Sequence, residues 1–192
     1  MVAAAPALSY SFRDYIEFEK HAHERHEYVT GMILAMGGGT LAHSALCSAV
    51  ILSLGSQLKG RPCRVFDSNA RVRVLATGNA YYPDASVVCG TLGTDPEDSR
   101  SIVNPSVLVE VLSPTTQLYD QTDKLKDYQT IPSVRHIVHV AHDEQRIDIW
   151  SRAPSGEWAQ RSFVATERGP LPAIGCTLDV SELFRDPLEQ PG

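Results

Sequence analysis

The sequence predicts an α/β (α+β) domain with a mixed central β-sheet flanked by helices, and three observations carry that prediction. Helix-like and strand-like segments interleave in the order helix, hairpin, helix, several strands, helix, hairpin. The run Val107-Leu108-Val109-Glu110-Val111-Leu112 is apolar on both of its faces, as a strand covered on both sides requires. The chain has 192 residues, 43% hydrophobic and 21% charged, enough for one sizeable core and ordinary for a globular protein. With no repeat, low-complexity tract or linker, residues 1–192 read as a single domain.

The elements follow in order. Residues from about 10 to 25 carry Phe12, Tyr15, Ile16 and Phe18 as a partial apolar stripe and read as a helix. Thr30-Gly31 between two apolar stretches reads as a hairpin turn. Gly37-Gly38-Gly39 breaks the chain, and Thr40 is placed to cap a helix over about 41–58. Strands are expected at 63–66, at 70–75 and at 82–88, the second with one wet face because it alternates with period two. Asp84 stands near the start of the third. The Pro/Asp/Glu-rich stretch 90–104 reads as a surface loop. After 107–112, Ser113-Pro114-Thr115-Thr116 ends the strand and a helix is expected to run to about Gln129. A hairpin of 134–140 and 146–150 around Asp143-Glu144, a strand near 158–164 and a short turn at 178–184 complete the domain.

The bulk properties exclude some functions. A formal net charge of -6 argues against a surface that coats nucleic acid indiscriminately, although a local basic groove built from Lys59, Arg61, Arg64, Arg71 and Arg73 is compatible with it. No apolar run approaches a membrane span, so no membrane partner is expected. Met1 to Leu8 lacks a basic start and is broken by Pro6, so it reads as a ragged start rather than a signal peptide. Cys47, Cys63, Cys89 and Cys176 form no C-x-x-C pair, and they read as buried, reduced thiols of a cytoplasmic protein. His21, His23 and His26 read as a solvated helix end, and His136, His139 and His142 receive no role.

Chemistry is concentrated in a sparse acidic set with a lysine. Asp84 and Glu110, 26 residues apart, each lie in or at the end of an apolar strand-like run, where a carboxylate needs a partner. A divalent cation is one such partner. Structural alternatives stay open: a turn aspartate after Pro83, and a Glu110 paired with Arg71 or Arg73. Asp120, Lys124 and Tyr128 are spaced i, i+4, i+8 and fall on one helical face. That face is either an exposed Asp–Lys pair or a way of pointing Lys124 across the strand ends that bear the two carboxylates. His43 is able to contact phosphate from the first turn of its helix, or to pack or cap.

These residues resemble the Uma2 (DUF820) family of restriction-endonuclease-like proteins within the PD-(D/E)xK nuclease superfamily. Glu27-Tyr28-Val29-Thr30-Gly31 resembles the family's E-Y-x-x-G opening, and His43 matches a histidine early in the following helix. Tyr82-Pro83-Asp84-Ala85-Ser86-Val87 resembles its P-D-x-x-V strand, and Val109-Glu110-Val111-Leu112-Ser113-Pro114 its E-V-L-S-P motif. Asp120, Lys124 and Tyr128 fit its D-x-x-x-K-x-x-x-Y helix. The order and spacing of the motifs carry the resemblance more than any one of them.

The resemblance implies a metal-dependent endonuclease acting on phosphodiester bonds of nucleic acid, DNA favoured. Asp84, Glu110 and the Val111 carbonyl are then the oxygen ligands of Mg²⁺ or Mn²⁺, and Lys124 supports the nucleophile or the developing charge. Glu27 and Asp120 stand behind them as a further carboxylate and a group orienting Lys124. The superfamily's usual lysine, two residues after the glutamate, is replaced here by Leu112. That departure keeps two alternatives in view: a nuclease fold that binds without turnover, and a hydrolase of small phosphoesters. A homodimer through apolar edges of the late hairpin, at Ile147, Ile149 and Trp150, is a further expectation.

Overall fold

The computed structural model describes residues 9–112, 120–185 and 188, with Asp120 and Gln121 described in their backbone alone. The Ser113-Pro114 end of the E-V-L-S-P motif and the Met1 to Leu8 start lie outside the described residues. The element order is α1 (Phe12–His21), β1 (His26–Val29), β2 (Met32–Ala35), α2 (Leu41–Gln57), β3 (Cys63–Asp67), β4 (Arg71–Val74), β5 (Asn79–Tyr81), β6 (Ala85–Cys89), β7 (Ser101–Ile102) and β8 (Val107–Leu112). A π-helical turn (Asp120–Lys124) then leads into α3 (Leu125–Thr130). β9 (His136–Ala141), β10 (Arg146–Arg152), β11 (Trp158–Val164), β12 (Arg168–Leu171), β13 (Cys176–Asp179) and α4 (Val180–Leu183) complete the chain.

Three sheets hold these strands, the smallest being the antiparallel pair β12-β13. The largest has the order β11-β10-β9-β8-β6-β3, and it is mixed because β8 runs parallel to β9 while its other pairs are antiparallel. The second has the order β2-β1-β5-β4-β7. The mixed α+β architecture expected from the sequence is therefore present, with a second sheet where only helices were expected on the flank.

The odd and even residues of β8 show how the layers stack. Val107, Val109 and Val111 pack into a core with Leu46, Val50 and Leu54 of α2. Leu108 packs on the other face against Val72 and Val74 of β4 and Tyr128 of α3. All six residues of β8 are buried, as expected of a doubly covered strand. Glu110 shares the face of Leu108 and so points between the two sheets.

The Thr30-Gly31 turn has positive φ at both residues (48° and 83°), the hairpin geometry that matches strand twist. The positive φ of Gly31 is what calls for glycine there, and a Cβ would in addition crowd the Ser9 side chain. Thr40 caps α2 as expected, its hydroxyl accepting from the His43 N–H at 3.1 Å.

Six readings from the sequence are corrected. β4 has no wet face: Arg71 is 2% exposed and pairs with Asp98 at 2.6 Å, and Arg73 pairs with Asp95 at 3.6 Å. The 90–104 stretch is thus less a solvated loop than the donor of two carboxylates that neutralise β4, and it contributes β7. The alternative in which Glu110 pairs with Arg71 or Arg73 falls with this, since those arginines pair with Asp98 and Asp95 and Glu110 with Lys124. The basic groove falls as well, because Arg61 hydrogen-bonds the Ile174 and Gly175 carbonyls, and Arg64 pairs with Val88, at the end of β6 remote from Asp84. Ile147 and Ile149 are core residues at 0% and 2% exposure, and Trp150 is half-buried against the core, so the two isoleucines do not form the apolar edge expected for a homodimer. Finally, Cys63 and Cys89, opposite each other on β3 and β6, are joined as a disulfide, while Cys47 and Cys176 are not. Among the described residues no helix is long and apolar enough to cross a membrane.

Candidate metal centre and its lysine clamp

The end of β8 is where the sequence-predicted residues meet. β6 pairs with β8 at Ala85↔Val109, so Asp84, one residue before the strand begins, lies beyond the ladder opposite Glu110. With no strand partner to fix it, Asp84 turns its own carboxylate to the backbone, and Oδ2 accepts the Val111 N–H at 2.8 Å. In a strand the N–H and C=O of one residue point to the same side. The Val111 carbonyl therefore faces the Asp84 side of β8 too.

Glu110, Glu27 and Lys124 form the second half of the site. Lys124 Nζ is 2.9 Å from Glu27 Oε1 and 3.0 Å from Glu110 Oε1, with the three side chains 5%, 11% and 5% exposed in the order lysine, Glu27, Glu110. The Tyr128 hydroxyl donates to the same Glu110 oxygen at 2.6 Å. Lys124 and Tyr128, four residues apart, thus reach one carboxylate, as their spacing predicts. The Tyr82 N–H also donates to Glu27 at 3.3 Å, so Glu27 is a fixed member of the site and not a turn glutamate. Asp120 opens the π-helical turn that ends at Lys124; its side chain lies outside the described residues.

Residues the sequence reading did not single out hold this arrangement. Asp127 Oδ2 accepts from Tyr81 and Asn79 at 2.6 Å each and from Thr77 at 3.1 Å, tying α3 to β5. The Lys124 ammonium lies 5.5 Å from the centre of the Tyr81 ring. His139 of β9 is opposite Glu110 in the parallel register and fully buried. Burial pushes its imidazole down to about 4, with Asp148 opposing and Lys124 adding to the shift, so it is neutral beside the clamp. The available signal was weak: Asp127 sits one position before Tyr128, on a helix face that only the second sheet makes important.

On the α2 side, His43 Nε2 is 3.4 Å from Asp84 Oδ2, and Cys47 Sγ is 3.5 Å from His43 Nδ1. Burial, then the charges of Asp84 and Glu110, pushes the Cys47 thiol well up. His43 therefore touches a carboxylate of the site, while Cys47 was missed despite its i+4 spacing from His43.

Glu27 and Glu110 share the one Lys124 ammonium, and Asp84 stands beyond the ladder opposite Glu110, so this strand end carries an excess of formal negative charge. Two carboxylates and a main-chain carbonyl make an all-oxygen donor set, which suits a hard cation. The residues present therefore fit Mg²⁺ or Mn²⁺.

A family model, Uma2, described as "Putative restriction endonuclease", matches residues 12–181. The chain belongs to the Uma2 family. A Synechocystis sp. protein, the uncharacterised slr1290, is 31% identical over 191 residues, covering 96% of this chain and 98% of that one. A second uncharacterised Synechocystis protein, sll1609, is 23% identical over 158 residues, covering 82% of this chain and 89% of its own. Among solved structures, one from Anabaena variabilis ATCC 29413, described as a "putative nuclease belonging to DUF820", superposes with a TM-score of 0.74 at 18% identity. It covers 91% of this chain and 97% of its own, and at that identity the likeness speaks for the Uma2 fold alone.

Proposed function

We propose that this Uma2 protein is a metal-dependent endonuclease that hydrolyses phosphodiester bonds of nucleic acid, with DNA the favoured substrate. The observation that carries the reading is the buried Lys124 ammonium against Glu110. A lysine from the following helix reaches the carboxylate that, in the wider superfamily, would have its lysine two residues along the strand, where this chain has Leu112.

Asp84, Glu110 and the Val111 carbonyl would hold Mg²⁺ or Mn²⁺. The chemistry such an ion supplies is Lewis acidity toward the scissile phosphate and a lower pKa for water. The Val111 N–H orients Asp84. The Tyr128 hydroxyl orients Glu110, and Glu27 shares the Lys124 side chain and fixes its position. Lys124 is then placed to hold the attacking water or to offset charge developing on the phosphoryl group. His43 contacts Asp84 and steadies it from α2.

A second reading, a nuclease fold that binds without turnover or a hydrolase of small phosphoesters, is favoured by one observation. Arg71 and Arg73 are neutralised inside the protein and do not line a groove beside the carboxylates.

A plasmid-nicking assay with Mg²⁺ and Mn²⁺ separates these readings. Cleavage by the wild type that vanishes in Asp84→Ala and Glu110→Ala is the expected result. Wild-type cleavage that survives both substitutions sinks the proposed centre, and no cleavage of DNA or RNA under any metal moves the conclusion to the second reading.

A further inference from the structure

The first turns of α2 carry two side chains, His43 and Cys47, that the nuclease reading does not use as metal ligands. His43 and Cys47 are four residues apart and project from one helical face, toward Asp84. His43 Nε2 is 3.4 Å from Asp84 Oδ2 and 4.0 Å from Cys47 Sγ, and one ligand atom from each of the three residues lies within 4.8 Å of the others. Tetrahedral zinc bonds to nitrogen, oxygen and sulfur space the ligand atoms roughly 3.3–3.6 Å apart. Closing the set around an ion therefore takes small side-chain adjustments and no backbone change. All three residues are half-buried, which leaves solvent access for an ion and a fourth ligand. A Cβ at Gly39 would come 2.8 Å from His43 Nδ1, so the glycine keeps the edge of this ring uncrowded.

The donor chemistry separates this set from its neighbour. An imidazole, a thiolate and one carboxylate favour Zn²⁺ strongly over Mg²⁺, whereas Asp84, Glu110 and the Val111 carbonyl are all oxygen. The two sets share Asp84. We propose that His43, Cys47 and Asp84 form a Zn²⁺ site that overlaps the hard-cation site, so that Zn²⁺ withdraws Asp84 and switches the nuclease off. On binding, the Cys47 thiol loses its proton to solvent and the thiolate sulfur donates a lone pair to the ion. The inhibitory half of the proposal rests on the nuclease reading; the binding half does not.

Co²⁺ titration of the full chain, handled without oxygen so that Cys47 stays a thiol while the Cys63–Cys89 disulfide stays closed, followed by Zn²⁺ competition against a chromophoric chelator, tests the binding half. The wild type is expected to take one Co²⁺ with a thiolate-to-cobalt charge-transfer band that Zn²⁺ removes. Cys47→Ser abolishes the band and weakens Zn²⁺ by at least the ~10–100-fold that loss of a residue behind a ligand costs, with Cys47→Ala as a second variant should serine disturb the packing. Cys176→Ser, which removes the other thiol outside the disulfide, keeps the band, as does Glu110→Gln. Circular dichroism in chelator confirms that each variant is folded. No band in the wild type, a band that survives Cys47→Ser, or a band lost in Cys176→Ser or Glu110→Gln overturns the site. For the inhibitory half, equimolar Zn²⁺ is expected to suppress Mg²⁺-supported nicking by the wild type and to leave Cys47→Ser active. Equal inhibition of both overturns it. A wild type that never nicks overturns the inhibitory half together with the nuclease reading, while the cobalt band still decides the site.

Discussion

Lys124→Met removes a charge from the centre of the site while keeping most of the side chain's length and volume. The ammonium it deletes lies 2.9 Å from Glu27 and 3.0 Å from Glu110, with none of the three side chains more than 11% exposed. At an effective dielectric constant of about 20, each contact carries roughly 5–6 kcal/mol of attraction before desolvation is counted. The net figure is smaller, since burying the charges offsets much of it. What remains in the variant is two buried carboxylates facing each other without a cation, a change that costs about 3–5 kcal/mol. For a chain of this size that corresponds to a Tm lowered by on the order of 10 °C. Thermal and urea unfolding followed by circular dichroism measures it in metal-free buffer. Glu27→Gln in the Lys124→Met background removes one of the stranded charges and should restore more than half of the loss. A loss below about 1 kcal/mol for Lys124→Met, or no recovery in the double variant, refutes the buried clamp.

Two further outcomes follow from the same packing. His136 and His139 are both pushed by burial from 6.5 to about 4, so between those values the unfolded chain binds protons that the folded chain does not. Stability is therefore complete above about pH 6.5 and falls as the pH drops toward 4, by up to roughly 3 kcal/mol for each histidine. Urea midpoints at several pH values across that window measure this, and a flat profile would contradict it. Asp127→Ala leaves Asn79, Tyr81 and Thr77 without their shared acceptor and should destabilise by roughly 2–3 kcal/mol. Hydrogen exchange in α3 should quicken with it, and unchanged protection there would show that Asp127 does not hold the helix.

The legible parts of the sequence were those with a local physical signal. The β8 run, the Thr40 cap, the Thr30-Gly31 hairpin and the i, i+4 pair of Lys124 and Tyr128 all depend on neighbours close along the chain, and each appears as read. Errors fell where a distant partner decides. The alternation at 70–75 implied a wet face, but Asp98 and Asp95 arrive from the 90–104 stretch and make it affordable to bury Arg71 and Arg73. Ile147 and Ile149 were read as an edge because their covering elements, including Gly169 of β12, come later in the chain. A Cβ at Gly169 would lie 2.5 Å from the Ile149 side chain, so the cover is close. Cys63 and Cys89, 26 residues apart, gave no sign of facing each other until the β3–β6 register aligned them.

By itself, the sequence determined the longer helices and strands and that Asp84, Glu110 and Lys124 stand at strand ends or on a helix face, because backbone periodicity and the high cost of burying unpartnered carboxylates are local properties. Only the tertiary structure decided who partners whom. It gave Lys124 to Glu27 as well as to Glu110, turned Asp84 to the Val111 N–H and to His43, and took the arginines away from the site. The reason is that electrostatic partnership depends on distance through space and on the water excluded between the groups, and both are set by how the two sheets and α2 close over the end of β8.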